Sequence, residues 1–266
     1  MTIRSLSLLS AAMLVVGGSA ALAADLPTRK APPAPMVYVQ PYSWTGFYAG
    51  LNAGAVWNTG NTDIVGSSGF VGLGSGVVPS SLSTNSVGFI GGGQVGYNYQ
   101  MSNFVLGAEA DFDGTTLSKS ANYTGGPVLG TTLTTHAKES LDWLGTVRGR
   151  LGFLVTPQLL LYGTGGFAYG GVNQEASVVA NNTGYGWYGS SNSVRTGWTA
   201  GAGAEYAITN NISLKAEYLY YDLGSKTVTA AGNGAVASFA GLNGIYGVTK
   251  TDYNGSVARV GINYKF

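Results

Sequence analysis

From Trp44 to its last residue the chain alternates apolar positions with polar or glycine positions at a period of two, the mark of strands whose two faces meet different surroundings. Eight segments carry this pattern. The first sets Phe47, Ala49, Leu51, Ala53, Ala55 and Trp57 against Tyr48, Gly50, Asn52 and Gly54. The second sets Val87, Phe89, Val95, Tyr97 and Tyr99 against Gly88, Gly92, Gln94, Gly96 and Asn98. In the third, Phe104, Leu106, Ala108, Ala110 and Phe112 oppose Gly107, Glu109, Asp111 and Asp113, and in the fourth Leu141, Trp143, Val147, Leu151 and Phe153 oppose Asp142, Thr146, Arg148 and Arg150. The fifth, near 159–170, is apolar on both faces and its faces stay unassigned. The sixth, seventh and eighth follow the rule again: Trp198 to Tyr206 against Thr199 to Glu205, Leu214 to Tyr220 against Lys215 and Glu217, and Ala258 to Phe266 against Arg259 to Lys265. Helix is disfavoured throughout, because the chain holds 43 Gly, 17 Tyr, 9 Phe and 5 Trp, and Gly costs about 1 kcal/mol at an interior helix position while aromatics favour pleated surfaces.

The connections add a second constraint. Those at 100–103, 154–158 and 208–211 hold four or five residues, whereas those at 58–85, 114–138, 171–195 and 224–252 hold 25 to 29. Short and long alternate strictly, as periplasmic turns and outer loops do in an up-and-down barrel of an outer membrane. A soluble sandwich requires no such alternation. The long connections are Gly, Ser, Thr and Asn mixtures, as in Gly66 to Ser86 and Ala180 to Ser193, so they read as exposed, mobile loops. Charged residues form only 9% of the chain against roughly 25% in soluble domains, so a surface wetted on every side is not expected. Beyond the N-terminus no segment offers the roughly 18 to 20 apolar residues of a spanning helix. The prediction is an all-β, eight-stranded antiparallel up-and-down transmembrane β-barrel with short periplasmic turns and long outer loops, formed by 44–266.

Lipid can be told from a protein core by aromatic belts at both interfaces. With strands running alternately outward and back, Phe47, Tyr97, Tyr99, Phe104, Phe153, Tyr206, Tyr264 and Phe266 fall at the lower edge. Trp57, Phe89, Phe112, Trp143, Trp198, Tyr218 and Tyr220 fall at the upper edge. The opposite, inward faces gather the acids Glu109, Asp111, Asp142, Glu205 and Glu217 and the bases Arg148, Arg150, Lys215 and Arg259. An eight-stranded interior is wide enough only for side chains, so these nine are expected to form an internal ion-pair network, because an isolated charge there would cost several kcal/mol. The network reads either as a salt-bridged plug or as a narrow polar conduit.

Residues 1–23 have the anatomy of a cleaved export signal: Arg4, the apolar run Leu6 to Val16, and the small-x-small site Ala21-Leu22-Ala23. A membrane anchor is the other reading of that run, weakened by Gly17-Gly18-Ser19. Residues 24–43 hold prolines at 27, 32, 33, 35 and 41 and are expected to form an extended periplasmic segment. The chain has no cysteine, which excludes disulfides, thiolate metal sites and thiol nucleophiles. Its net charge of +1 predicts no nucleic-acid partner.

Three stretches carry a resemblance: Trp44-Thr45-Gly46-Phe47-Tyr48-Ala49-Gly50, Trp143-Leu144-Gly145-Thr146-Val147-Arg148-Gly149-Arg150-Leu151-Gly152, and the terminal Asn263-Tyr264-Lys265-Phe266. The chain resembles the alphaproteobacterial outer-membrane surface-antigen family, loosely termed porin-like and similar to the OmpA transmembrane domain. The resemblance spans the mature chain, although its loops match nothing specific. It implies an abundant envelope barrel, in some relatives a surface antigen and in some a haemin binder. The run from Arg259 through Gly261 and Tyr264 to Phe266 also resembles the signal read by the barrel-insertion machinery, and it is equally an ordinary last strand.

Other motifs mislead. Gly91-Gly92-Gly93-Gln94-Val95-Gly96 satisfies a dinucleotide fingerprint but lies inside a strand with no helix after it. His136, the one histidine, falls in a long connection with Ser140 and Asp142 nearby. An exposed histidine is the plain reading, with a haem ligand helped by Tyr123, Tyr185 or Tyr188, or a catalytic base, as the sharper ones. The sequence therefore points to a non-enzymatic structural and surface protein of the outer membrane, without cofactor. Its expected partners are outer-membrane lipid and lipopolysaccharide, the insertion machinery and an extracellular ligand at the loops. The alternative is a narrow solute channel or a haemin receptor.

Overall fold

A computed structural model describes residues 42–58, 61–66, 81–83, 86–128, 131–181, 184–233 and 247–266. The expected signal segment, and the proline-rich segment as far as residue 41, lie outside these residues. The strands are β1 (Gly46–Asn58), β2 (Asn61–Gly66), β3 (Ser81–Ser83), β4 (Ser86–Met101), β5 (Phe104–Val128), β6 (Thr131–Thr156), β7 (Leu159–Ala180), β8 (Gly186–Ala207), β9 (Ile212–Gly232) and β10 (Gly247–Lys265). Eight of them, β1 and β4 to β10, pair antiparallel in chain order, and β10 returns onto β1 from Tyr48↔Lys265 to Asn58↔Gly255, closing the ring. Between them β2 extends the sheet from the outer part of β10 and carries β3 on its far side.

The three short turns fall where the spacing puts them, at 102–103, 157–158 and 208–211. The long connections do not. β5 and β6 run for 25 and 26 residues, and β7 and β8 for 22 each, where a tilted strand needs only about 9–11 to cross a membrane. Much of 114–138 and 171–195 is thus pleated sheet rather than mobile loop, and within Ala180 to Ser193 strand β8 has begun by Gly186. The reason is chemical. Beyond the membrane the outward face meets polar surroundings, so serine, threonine and asparagine replace the apolar half of the alternation, while threonine keeps its fit to a pleated surface. Of Gly66 to Ser86, residues 67–80 and 84–85 lie outside the described set.

The wall faces lipid as the alternation requires. Phe47, Leu51, Val87, Val260 and Phe266 are among its most exposed side chains. At the outer edge Phe112 stacks on Trp143 at 5.4 Å, Trp143 meets Tyr169 at 5.8 Å, Trp198 meets Tyr220 at 5.5 Å and Trp57 meets Tyr218 at 6.1 Å. At the inner edge Phe47 and Tyr97 lie 4.7 Å apart and Phe104 and Phe153 5.5 Å. The fifth segment resolves itself: Leu160, Tyr162 and Ala168 point in, while Leu161 and Phe167 point out.

Inside, the lumen is layered. Trp44, Val105, Leu154, Leu160, Tyr162 and Ala207 form an apolar floor. Trp44 is pinned there by its indole N–H, which donates to the Pro157 carbonyl at 3.1 Å, and by its backbone N–H, which donates to Gln100 Oε1 at 2.8 Å. Higher up, Val56, Ile90, Leu117, Leu144, Leu219 and Val257 belong to an apolar ceiling. The charged layer lies between.

Candidate functional site

Each charged side chain of the middle layer is aimed inward by strand parity, and cross-strand register sets its height. Glu109 stands opposite Arg148, and Glu217 stands opposite both Arg259 and, two strands away across Gly203, Tyr162. Arg148 is the hub. It meets Glu109 at 2.6 Å, Asp111 at 2.8 Å and Glu217 at 2.9 Å. Arg259 meets Asp111 at 2.7 Å, Asp113 at 2.6 Å and Glu217 at 2.8 Å. Lys215 reaches Glu109 at 2.9 Å, and Arg150 reaches Glu205 at 2.7 Å. Arg148, Lys215 and Asp113 are each at most 1% exposed. At such burial an unpaired charge costs several kcal/mol, and five acids facing four bases nearly cancel.

Two tyrosines extend the cluster across empty positions. Tyr48, Gly96 and Glu109 are register partners on β1, β4 and β5, and Tyr162, Gly203 and Glu217 are partners on β7, β8 and β9. In each row the tyrosine ring lies over the glycine, where a Cβ would collide with it. Tyr48 Oη so donates to Glu109 Oε2 at 2.7 Å, and Tyr162 Oη donates to Glu217 Oε1 at 3.1 Å. The Arg150 guanidinium stacks 4.0 Å from the centre of the Tyr162 ring, a cation–π contact strengthened by desolvation.

Eight of the nine residues expected in the lumen network come together here. Asp142 does not. A β-bulge between Leu141 and Trp143 shifts the register against β7, and an extra residue reverses every side chain beyond it. Leu141 consequently points in, 5% exposed. Asp142 points out to accept from Ser140 Oγ at 3.0 Å and Asn173 Nδ2 at 2.6 Å. Asp113 takes the vacant acidic role. It shares the inward parity of Glu109 and Asp111, and that parity is the signal by which it could have been included. Asn263 and Ser213, which donate to Glu205 Oε1 at 2.7 and 2.6 Å, are polar in type but sit on the same inward rows.

A second pair lies above the ceiling, in a stretch expected to be loop. Lys119 meets Glu139 at 2.9 Å with both side chains nearly buried. Burial pushes the Glu139 carboxyl above its ordinary range, against the pull of Lys119 and of the Asn58 amide. At the terminal run, Arg259 is buried in the network, Gly261 faces inward against Leu51 and Asn52, and Tyr264 and Phe266 point to the outside of the inner girdle. Phe266 also closes the seam, its N–H donating to the Phe47 carbonyl at 3.0 Å. His136 lies outside the lumen, with Nδ1 2.5 Å from Asn122 Oδ1.

A closed ring of eight strands, apolar outside between two aromatic girdles and charge-paired within, defines a transmembrane β-barrel of the outer-membrane type. The chain belongs to the outer membrane protein beta-barrel domain family, whose pattern matches residues 9–266, and its place is the outer membrane. It is similar to the 31 kDa outer-membrane immunogenic protein of Brucella melitensis, with 37% identity over 98% of this chain and 99% of that one. It is also similar to the 25 kDa outer-membrane immunogenic protein of Brucella abortus, with 29% identity over 100% and 99% of the two chains. Among solved structures, the outer membrane protease OmpT of Escherichia coli superimposes with a TM-score of 0.43 at 10% identity, covering 86% of this chain and 99% of that one.

Proposed function

We propose that this barrel is a sealed structural anchor of the outer membrane, and that the strands standing beyond its outer girdle are presented at the cell surface as an antigen. The stacking of the lumen carries the reading. An apolar floor centred on Trp44, a salt-bridged middle and an apolar ceiling follow one another along the axis, so a hydrated solute meets two water-excluding layers and a charge cluster that offers no isolated ion. The names of the two Brucella relatives support presentation at the surface. The terminal run from Arg259 to Phe266 serves the insertion machinery and then becomes the closing strand.

Catalysis fits the geometry poorly. Among the described residues, Ser140 stands four positions along the same strand from His136, roughly 13 Å away by strand rise, too far for the pair to act as nucleophile and base. The test is single-channel recording in planar bilayers on purified, folded protein. Silent membranes are expected; steady openings of fixed conductance would replace the plug by a channel.

A further inference from the structure

We propose that the outward face of β6, β7 and β8, directly beyond the outer girdle, binds the saccharide headgroup of an outer-leaflet glycolipid. This inference rests on the outer-membrane reading above. Four cross-strand rows build the face. The lowest is Trp143, Gly171 and Val194; above it come Ser140, Asn173 and Asn192, then Lys138, Glu175 and Ser190, then His136, Ser177 and Tyr188. The middle rows line a groove of about 340 Å³, at the lower end of the range for small-molecule sites.

The groove's chemistry suits hydroxylated rings. The bulge at Leu141/Trp143 turns Asp142 outward beside the groove, where two of the lining residues, Ser140 and Asn173, hold its carboxylate at 3.0 and 2.6 Å. A sugar hydroxyl is both donor and acceptor, and an oriented carboxylate beside an amide and a hydroxyl answers both needs. Because Asp142 is already held, little rotamer freedom is lost on binding. Lys138 stands opposite Glu175, so with Asp142 the face carries one base and two acids, a balance that does not select a bare phosphate. Tyr188 above, 54% exposed, offers a ring face with a polar edge.

Position decides the source of the saccharide. The groove lies on the outward face of the wall, and its lowest row, Ser140, Asn173 and Asn192, stands next above the row of the girdle residue Trp143, so its surroundings are the headgroups of the adjoining leaflet. A ligand tethered in that leaflet is held at high local concentration, whereas a free glycan is not.

The experiment measures binding by the folded protein in nanodiscs, using lipopolysaccharide with its core saccharide, lipid A without core sugars, and free core oligosaccharide as probes. Lipopolysaccharide is expected to bind at least about tenfold more tightly than either of the others. Asp142→Ala and Asn173→Ala are expected to remove that advantage, and Thr227→Ala, on β9, to keep it. Heat-modifiable gel mobility checks folding, and Asp142→Asn is read in place of Asp142→Ala if the latter fails to fold. Equal binding of lipopolysaccharide and lipid A, or an unaltered Asp142 variant, overturns the site. Free oligosaccharide binding as tightly as the lipid-linked form overturns its source. A conducting barrel that still discriminates core sugars would sink the plug while leaving the groove in place.

Discussion

Arg148 touches three carboxylates at once, Glu109, Asp111 and Glu217, with no exposed side-chain area. Arg148→Gln should cost about 3–5 kcal/mol, because it leaves those acids facing one another in a confined space. Glu109→Gln should be milder, since Arg148 keeps Asp111 and Glu217. In a double-mutant cycle of the two, read by urea unfolding in bilayers, a coupling of about 0.5–3 kcal/mol is expected; strict additivity would show that the 2.6 Å contact carries no stability of its own. Glu139, outside the membrane, makes a pH prediction. Its carboxyl titrates above the unfolded value, so the folded state binds more protons in that window and gains stability as pH falls through the folded pKa. At higher pH the desolvation of the ionised carboxylate weighs against folding in full. Amide exchange around Glu139, corrected for intrinsic rates, should therefore slow on mild acidification, and Glu139→Gln should flatten the response. Protection that falls on acidification in the parent would reverse the sign and refute the assignment.

At the scale of the strand, the girdles should mark where the bilayer ends. Ala108 faces outward between Phe104 and Phe112 on β5, and Ser120 faces outward further along the same strand. Ala108→Arg should cost about 2–4 kcal/mol near the midplane, and Ser120→Arg should stay within about 0.5 kcal/mol. Equal costs would show that β5 is immersed along its whole length or not at all. This boundary also explains what the sequence made legible. Between the girdles one face meets hydrocarbon and the other a charged lumen, so the period of two is sharp and places Glu109, Arg148, Arg150, Glu217 and Arg259 on one side. Beyond them the outward face turns to hydroxyls, amides and charges while Leu117, Leu133, Val172 and Val178 still point inward; with the apolar outer stripe gone, β5 to β8 look like loops although their ladders continue. Asp142 was misplaced for a related reason. A bulge is one residue without a compositional mark, and everything past it changes face; Leu141 turned inward is the only trace, and in sequence it reads as another lipid-facing leucine.

The whole molecule is held in one piece by the seam between its first and last ring strands. β1 and β10 come from opposite ends of the described chain, so their pairing carries the longest loop-closure entropy and the ring cannot close until both are in place. Phe266 stands at the end of that seam, its N–H bonded to the Phe47 carbonyl at 3.0 Å and its ring on the inner girdle at 76% exposure. Phe112 is a fair comparison. It is also a girdle phenylalanine, 54% exposed and stacked on Trp143, but it sits in mid-sheet, where the neighbouring ladders stay intact if its ring is lost. If girdle aromatics act only by anchoring to the interface, deleting Phe266 and making Phe112→Ala should lower the yield of membrane-inserted protein alike. If the terminus is also read during insertion and completes the closing ladder, the deletion should cost much more. Fractionated membranes, with folded protein counted by heat-modifiable mobility, separate the two cases. We expect the deletion to leave markedly less folded barrel than Phe112→Ala, and equal yields would reduce Phe266 to one interface aromatic among many.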